Sequence, residues 1–465
     1  MRSVYLIGIC GTGMATLAAM LKSRGFDVHG SDANVYPPMD RFLAEQGIMP
    51  LLGYDAVHIT DQIDLVVIGN AVSRGNPEVE AVLEQGIRYM SLPEIVREFF
   101  LWGRCPIVVA GTHGKTTTTA MVAWSLVESN TDPSFLVGGI PINFSTSFRL
   151  GEGRLFVVEG DEYDSAYFDK SAKLLKYLPH VAVVGNLEFD HADIYRDLDD
   201  LRSVFRRFVS LVPRNGCVLL GADDAEACAL ADAAHCQVET FGLETGADWR
   251  AVRINYQRDR TRFEVEHRGQ IVTAVEFELL GAFNVRNAIA SIAAAAAVGT
   301  VPAVSAKALS GFRGVSRRLE LRGVVGGVAV YDDFAHHPTA VCETLTALRE
   351  VVGVGHLKVV FEPRSATACR RVFQGKFAEA LSVADDVVVA PVYRSMLPEL
   401  ERLSVAQLVS DLRSSGTSAY QAERLVDIGE MIVNNAVEGD VVVLMSNGDL
   451  SGLSNQVLDG LRAFR

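Results

Sequence analysis

Short apolar runs, most ending at a glycine or an acidic residue, alternate along the chain with longer stretches of helical spacing. Strand alternating with helix in this way predicts parallel α/β sheets. The runs fall into three groups. The first predicts strands at 4–9, 28–30 and 64–68, with a helix over 14–24. The second opens with a strand at 106–110, turns through 111–115 and enters a helix over 116–128. Further strands follow at 155–158 and 181–184, then an amphipathic helix near 198–211. Residues 250–278 alternate apolar and polar positions, which predicts strands at the margin of this unit. An Ala-rich helix over 284–298 closes it. The third group predicts strands at 328–331, 357–361, 386–390 and 441–445, with helices in the gaps. The expected domains are therefore 1–104, 105–322 and 323–465.

Composition narrows the class. A hydrophobic content of 49% with 22% charged residues is that of a folded, soluble chain. The net charge of −14 excludes a general nucleic-acid or membrane-surface binder, because those present basic faces. It leaves room for an anionic substrate held by a local cluster of Arg, Lys and backbone N–H groups. The seven cysteines are scattered without CxxC spacing, as expected of thiols in a reducing cytoplasm. No long apolar segment opens the chain, and the Ala-rich run is too short to span a bilayer.

The chemistry lies at the strand ends. Gly111-Thr-His-Gly-Lys-Thr-Thr117 follows an apolar strand and precedes a helix, the context a phosphate loop requires. Gly111 and Gly114 free backbone N–H groups for phosphate oxygens, together with Thr112, His113 and Thr117. Lys115 is placed to bridge the β- and γ-phosphates of ATP, and the Thr116 hydroxyl to meet Mg²⁺. Val109 stands where the strict pattern has glycine. Two acidic clusters, Glu159-Gly-Asp-Glu-Tyr-Asp164 and Asn186-Leu-Glu-Phe-Asp-His191, also end strands and should face this loop. At the N-terminus, Gly8-Ile-Cys-Gly-Thr-Gly13 spaces its glycines as GxxGxG, and Asp32 ends the next strand, where a ribose acceptor would sit.

Five segments together resemble the Mur ligase family in order and spacing. They are the phosphate loop, the Asp-His cluster, Asn284-Val-Arg-Asn287, Arg317-Arg-Leu-Glu320 and Asp332-Asp-Phe-Ala-His-His-Pro338. The resemblance covers essentially the whole chain. It implies a Rossmann-like N-terminal domain for a UDP-linked substrate, a central ATPase domain and a Rossmann-like C-terminal domain. By the same resemblance, Thr116, Glu159 and His191 hold metal, Asn287 contacts adenine, Arg318 approaches the γ-phosphate and Asp333 serves a ribose or hinge contact. Gly11, Gly13 and Asp32, helped by Asn70 and Ser73, become UDP contacts. The lysine that some relatives carbamylate has no counterpart in the helix Leu201-Arg-Ser-Val-Phe-Arg-Arg-Phe208.

The implied activity is ATP-dependent ligation of the lactyl carboxylate of UDP-N-acetylmuramate to an amine. Within the family, Glu159–Asp164, Val137-Gly-Gly-Ile-Pro-Ile-Asn-Phe144, Glu362-Pro-Arg-Ser365 and Ser446-Asn-Gly448 resemble the members that add the murein tripeptide L-alanyl-γ-D-glutamyl-meso-diaminopimelate. Arg364, Asn447 and Asp449 are then the expected peptide contacts. The alternative amine is L-alanine. His191 stays open to two roles, metal ligand and base.

Overall fold

The computed structural model describes residues 2–35, 39–393, 397–448 and 450–464. Among the described residues three large sheets follow one another along the chain, besides a two-stranded hairpin of Asp164–Ala166 and Asp169–Ala172. The first has five parallel strands, with Ser3–Ile7 central between Asp27–Asp32 and Leu65–Ile68. The second has ten strands, and Cys105–Ala110 lies in it between Val181–Val184 and Leu155–Glu159, all parallel. Its far edge is an antiparallel extension, Trp249–Tyr256, Thr261–His267 and Gln270–Phe277. The third has six strands, with Val441–Met445 between Val328–Asp333 and Leu357–Phe361.

In the first sheet the central strand Ser3–Ile7 is flanked by strands whose connections leave in opposite directions. That arrangement opens a crevice beyond the carboxyl ends. The 8–13 turn, the 111–114 turn and Ser446-Asn447-Gly448 sit at the carboxyl ends of Ser3–Ile7, Cys105–Ala110 and Val441–Met445. Topology alone thus aims three loops at possible ligands.

Alternating side chains explain why the middle strands read as unbroken apolar runs. Ile107, Val109, Val181 and Val183 pack on one face against Met121, Ile289 and the Ala-rich helix Ala282–Ala297. Val108, Ala110, Ala182 and Val184 pack on the other against Phe205 and Phe208. Those two rings come from the helix Leu198–Ser210, capped by the Asp197 carboxylate accepting from the Asp200 N–H at 3.0 Å. The second core runs on without a break into the N-terminal sheet through Phe100, Leu101, Val4 and Leu6. Small side chains let Ala282–Ala297 lie close to Lys115–Glu128, the helix that follows the phosphate loop. No helix among the described residues is long and apolar enough to cross a membrane.

Candidate active site

The turn after Cys105–Ala110 is built on two glycines with positive φ. At Gly111 (φ 127°) a Cβ would press against the backbone of Gly185 and Asn186 at 3.0–3.2 Å. At Gly114 (φ 79°) it would meet the Asn287 Oδ1 at 2.5 Å. Only glycine fits either place, so the loop seats directly on the neighbouring strand end and on the Asn287 amide. Asn287 Oδ1 also accepts from the Thr118 hydroxyl at 3.1 Å. The N-terminus of the helix Lys115–Glu128 then points its free N–H groups into the crevice.

Both acidic clusters converge on this loop. Thr116 Oγ1 donates to Glu159 Oε1 at 3.0 Å, and the Gly138 N–H donates to Glu159 Oε2 at 2.8 Å. Burial raises the Glu159 pKa although Lys115 and Arg318 oppose it, so this carboxylate gains from a cation beside it. Arg318 Nη2 donates to Thr116 Oγ1 at 3.2 Å, and its guanidinium lies 4.6 Å from the Phe334 ring centre. Arg317 and Leu319 on either side both adopt left-handed backbone (φ 61° and 50°), which holds the Arg318 side chain turned toward the loop. Asp333 fixes the far side: its carboxylate accepts from the Leu319 N–H at 2.5 Å and the Ala335 N–H at 2.7 Å.

Lys115 is not free. Its ammonium donates to Gly111 O at 2.7 Å and to Glu162 Oε1 at 2.8 Å. Burial would depress this ammonium, but the charges of Glu162 and Asp161 prevail and its pKa is raised. The same Glu162 oxygen lies 2.8 Å from His191 Nε2, while Glu162 Oε2 is buried without a hydrogen-bond partner. His191 itself sits at φ 54°, with its backbone N–H on Asp190 Oδ1 at 2.7 Å. Burial would lower the imidazole pKa, and Glu162 together with Asp190 raises it instead. His191 therefore faces Glu162 and not the Thr116–Glu159 pair.

A second carboxylate, Glu188, joins the middle and C-terminal sheets. Its Oε2 accepts from the Thr339 hydroxyl at 2.7 Å and lies 3.3 Å from His113 Nε2. Those partners outweigh burial and hold its pKa at about 2. Asp190 makes a parallel contact, accepting from the Thr367 hydroxyl at 2.5 Å. His336 and His337 nearby are pushed down by burial to about 4, so both rings are neutral at neutral pH.

Most of these groups line one cavity of about 820 Å³, Glu162 not among them. Thr12, Gly13, Thr16 and Leu17 enter it from the first sheet. Ser365, Thr367 and Asn447 enter from the third. Thr112, His113, Gly114, Lys115, Thr116 and Thr117 line it, as do Glu159, His191, Asn287, Arg318 and Asp333. The Asn447 Oδ1 is buried there with no hydrogen-bond partner.

Other expected positions lie apart. Gly11, Asp32, Asn70 and Ser73 belong to the N-terminal crevice but are not among the described lining residues. Asp32 spends its carboxylate on the Cys10 N–H at 2.9 Å and the Asn34 N–H at 3.2 Å, which braces the glycine turn. Arg364 stacks 3.9 Å over the Tyr393 ring and lies 3.6 Å from Glu362. Asp449 falls outside the described residues. Glu162, Glu188, His337 and Thr367 had no assigned role in the sequence. The one signal for them was their place in runs that end strands.

Residues 3–101 match the Mur ligase catalytic domain, 109–295 the Mur ligase middle domain and 317–448 the Mur ligase glutamate ligase domain. The chain is also 42% identical over 460 residues, 98% of each chain, to the Escherichia coli UDP-N-acetylmuramate–L-alanyl-γ-D-glutamyl-meso-2,6-diaminoheptandioate ligase. The chain belongs to the Mur ligase family. It is accordingly an ATP-dependent ligase that forms a C–N bond. A murein peptide ligase structure from Psychrobacter arcticus superposes with a TM-score of 0.75 at 34% identity, covering 99% of both chains. The UDP-N-acetylmuramate–alanine ligase of Thermotoga maritima superposes with 0.83 at 27% identity, covering both chains fully.

Proposed function

We propose that this Mur ligase joins the lactyl carboxylate of UDP-N-acetylmuramate to the amine of L-alanyl-γ-D-glutamyl-meso-diaminopimelate. The observation that carries the proposal is the single cavity to which all three sheets contribute. A reaction of nucleotide, UDP-linked acid and peptide needs three binding surfaces with one common meeting point. The choice of amine rests on likeness: the tripeptide ligase of E. coli is 42% identical over nearly the whole chain, against 35% for the alanine ligase of Halorhodospira halophila and 27% for that of T. maritima. The alanine ligase has the higher TM-score, but that score follows how three sheets are disposed. Whole-chain identity counts the side chains themselves.

The γ-phosphoryl group of ATP passes to the lactyl carboxylate, giving an acyl phosphate and ADP. The peptide amine attacks the acyl carbon, and the tetrahedral intermediate collapses to amide and phosphate. Two anions meet in the first step, so the site must supply positive charge. Lys115 does so by leaving Glu162 for the phosphates, and Arg318 by reaching past Thr116. The hydroxyl of Thr116 and the buried carboxylate of Glu159 are hard oxygen donors side by side, a pair that fits Mg²⁺. They would hold the ion, and Mg²⁺ would neutralise phosphate charge there, while His191, expected as a third ligand, faces Glu162 instead. In the second step the ammonium must shed a proton, and His191, on the cavity wall and backed by Glu162, is the candidate acceptor. Gly13 and Thr12 present the helix N-terminus to the UDP pyrophosphate, with Gly11, Asp32, Asn70 and Ser73 shaping that crevice. Asn447, Arg364 and Asp449 serve the peptide.

The units that close over the substrates are 1–104, 105–322 and 323–465, and closure keeps water from the acyl phosphate. Substrates of this kind place the enzyme in the cytoplasm. The test is phosphate release from ATP, which should require UDP-N-acetylmuramate and the tripeptide together. Equal release without the muramate would refute the reading.

A further inference from the structure

Away from the Thr116–Glu159 pair, three side chains from three segments converge at the seam between the middle and C-terminal sheets. His113 comes from the phosphate loop, Glu188 from the turn after Val181–Val184, and His337 from the N-cap of Pro338–Val352. His113 Nε2 and His337 Nδ1 lie 3.3 Å and 3.4 Å from the same Glu188 oxygen. All three candidate ligand atoms fall within 4.8 Å of one another.

Hydrogen bonding accounts for the His113–Glu188 contact but not for that of His337 with Glu188. His337 Nδ1 accepts the Thr339 backbone N–H at 3.4 Å, as a capping acceptor must, so it carries a lone pair and no proton. Glu188 Oε2 is an acceptor as well. Two acceptors thus face each other across 3.4 Å with no hydrogen between them. A cation removes that repulsion. Two of the three spacings, 3.3 Å and 3.4 Å to Glu188, match a tetrahedral Zn²⁺ site, whose ligands about 2.0–2.2 Å from the metal lie roughly 3.3–3.5 Å apart.

We propose that His113, Glu188 and His337 form a second cation site, for a d-block dication of which Zn²⁺ fits best. Two imidazoles and a carboxylate disfavour Mg²⁺ and Ca²⁺, which take oxygen donors. The supporting contacts are in place. The Thr339 hydroxyl holds Glu188 Oε2 at 2.7 Å, and the His113 backbone N–H donates to Asn186 Oδ1 at 2.7 Å. All three ligands line the cavity. A bound ion ties the phosphate loop to the C-terminal domain and exists as a complete site only when the two are together.

The proposal rests on geometry and not on the identity of the amine, so its test uses protein and metal alone. The full-length chain, stripped with chelator, is titrated with ZnCl₂ by calorimetry in the absence of nucleotide. One Zn²⁺ should bind per chain. Glu188→Gln and His337→Gln should each weaken binding by at least about tenfold, the scale on which changes around a metal are felt. Glu159→Gln should leave it within about twofold. Should His337→Gln fail to fold, as judged by its melting profile, Glu188→Gln decides. Equal affinity in wild type and the folded seam variants overturns the site, as does a loss that follows Glu159→Gln instead.

Discussion

The glycine turn at 8–13 and the phosphate loop at 111–114 are the same local construction: a buried parallel strand, a tight turn and a helix whose N-terminus faces a crevice. Their surroundings differ. Behind the first, Asp32 is consumed by backbone N–H groups, and the lining side chains are Thr12, Thr16 and Leu17. Around the second stand Lys115, Glu162 and His191, paired with one another, Glu159 and Arg318, which share Thr116, and Glu188, held by Thr339. Backbone geometry makes both places good at holding phosphates. Side-chain charge makes only one of them able to move a phosphoryl group. The first turn should therefore control affinity alone, and the second should control turnover.

The strongest way to break the contrast is Lys115→Ala. Turnover should fall by roughly 10²–10³, as for loss of a transition-state charge stabiliser, while the fold persists because Glu162 keeps His191. Steady-state kinetics with a melting curve checks both halves. Next comes Glu162→Gln, which strips a buried counter-charge from Lys115 and His191. Breaking such a pair costs about 3–5 kcal/mol, so denaturant unfolding should shift to markedly lower concentration. An unshifted midpoint would show that the Lys115–Glu162–His191 cluster carries no stability.

A smaller effect is expected on the other side of the comparison. A Cβ at Gly13 would already lie 3.3 Å from Leu92 Cδ1, so Gly13→Val pushes bulk into the cavity. The KM for UDP-N-acetylmuramate should rise about tenfold, some 1.4 kcal/mol, with kcat held. A fall in kcat at saturation would erase the distinction between the two turns. The smallest effect is one of pH. Burial lowers His336 from 6.5 to about 4, so between these values the unfolded chain binds the extra proton. The contribution of His336 is thus fully present above about 6.5 and lost as pH falls toward 4. Melting temperature should drop over that window, and less steeply in His336→Asn.

The sheets were legible because both faces of their strands are buried, which writes them as plain apolar runs such as 181–184 and 357–361. The edge strand Glu320–Val325 was not, since its half-exposed residues break the pattern. Strand-end motifs located the site, and Gly111, Gly114 and Thr116 lie where a phosphate loop has them. What the sequence could not supply was direction. Asp161 and Glu162 are neighbours, yet one pairs with Lys173 at 2.6 Å and the other with Lys115. In extended chain, adjacent side chains point opposite ways, and only the tertiary register decides which faces the loop. The same holds for His191, which faces Glu162, and for Arg364, whose guanidinium lies on Tyr393.

The amine is the central claim, and competition measures it most directly. Enzyme, ATP, Mg²⁺ and UDP-N-acetylmuramate are mixed with equal concentrations of L-alanine and L-alanyl-γ-D-glutamyl-meso-diaminopimelate, and the UDP-linked products are weighed by mass spectrometry. The tripeptide adduct should dominate from the earliest time points. A product carrying only L-alanine, with the tripeptide left unreacted, would contradict the account.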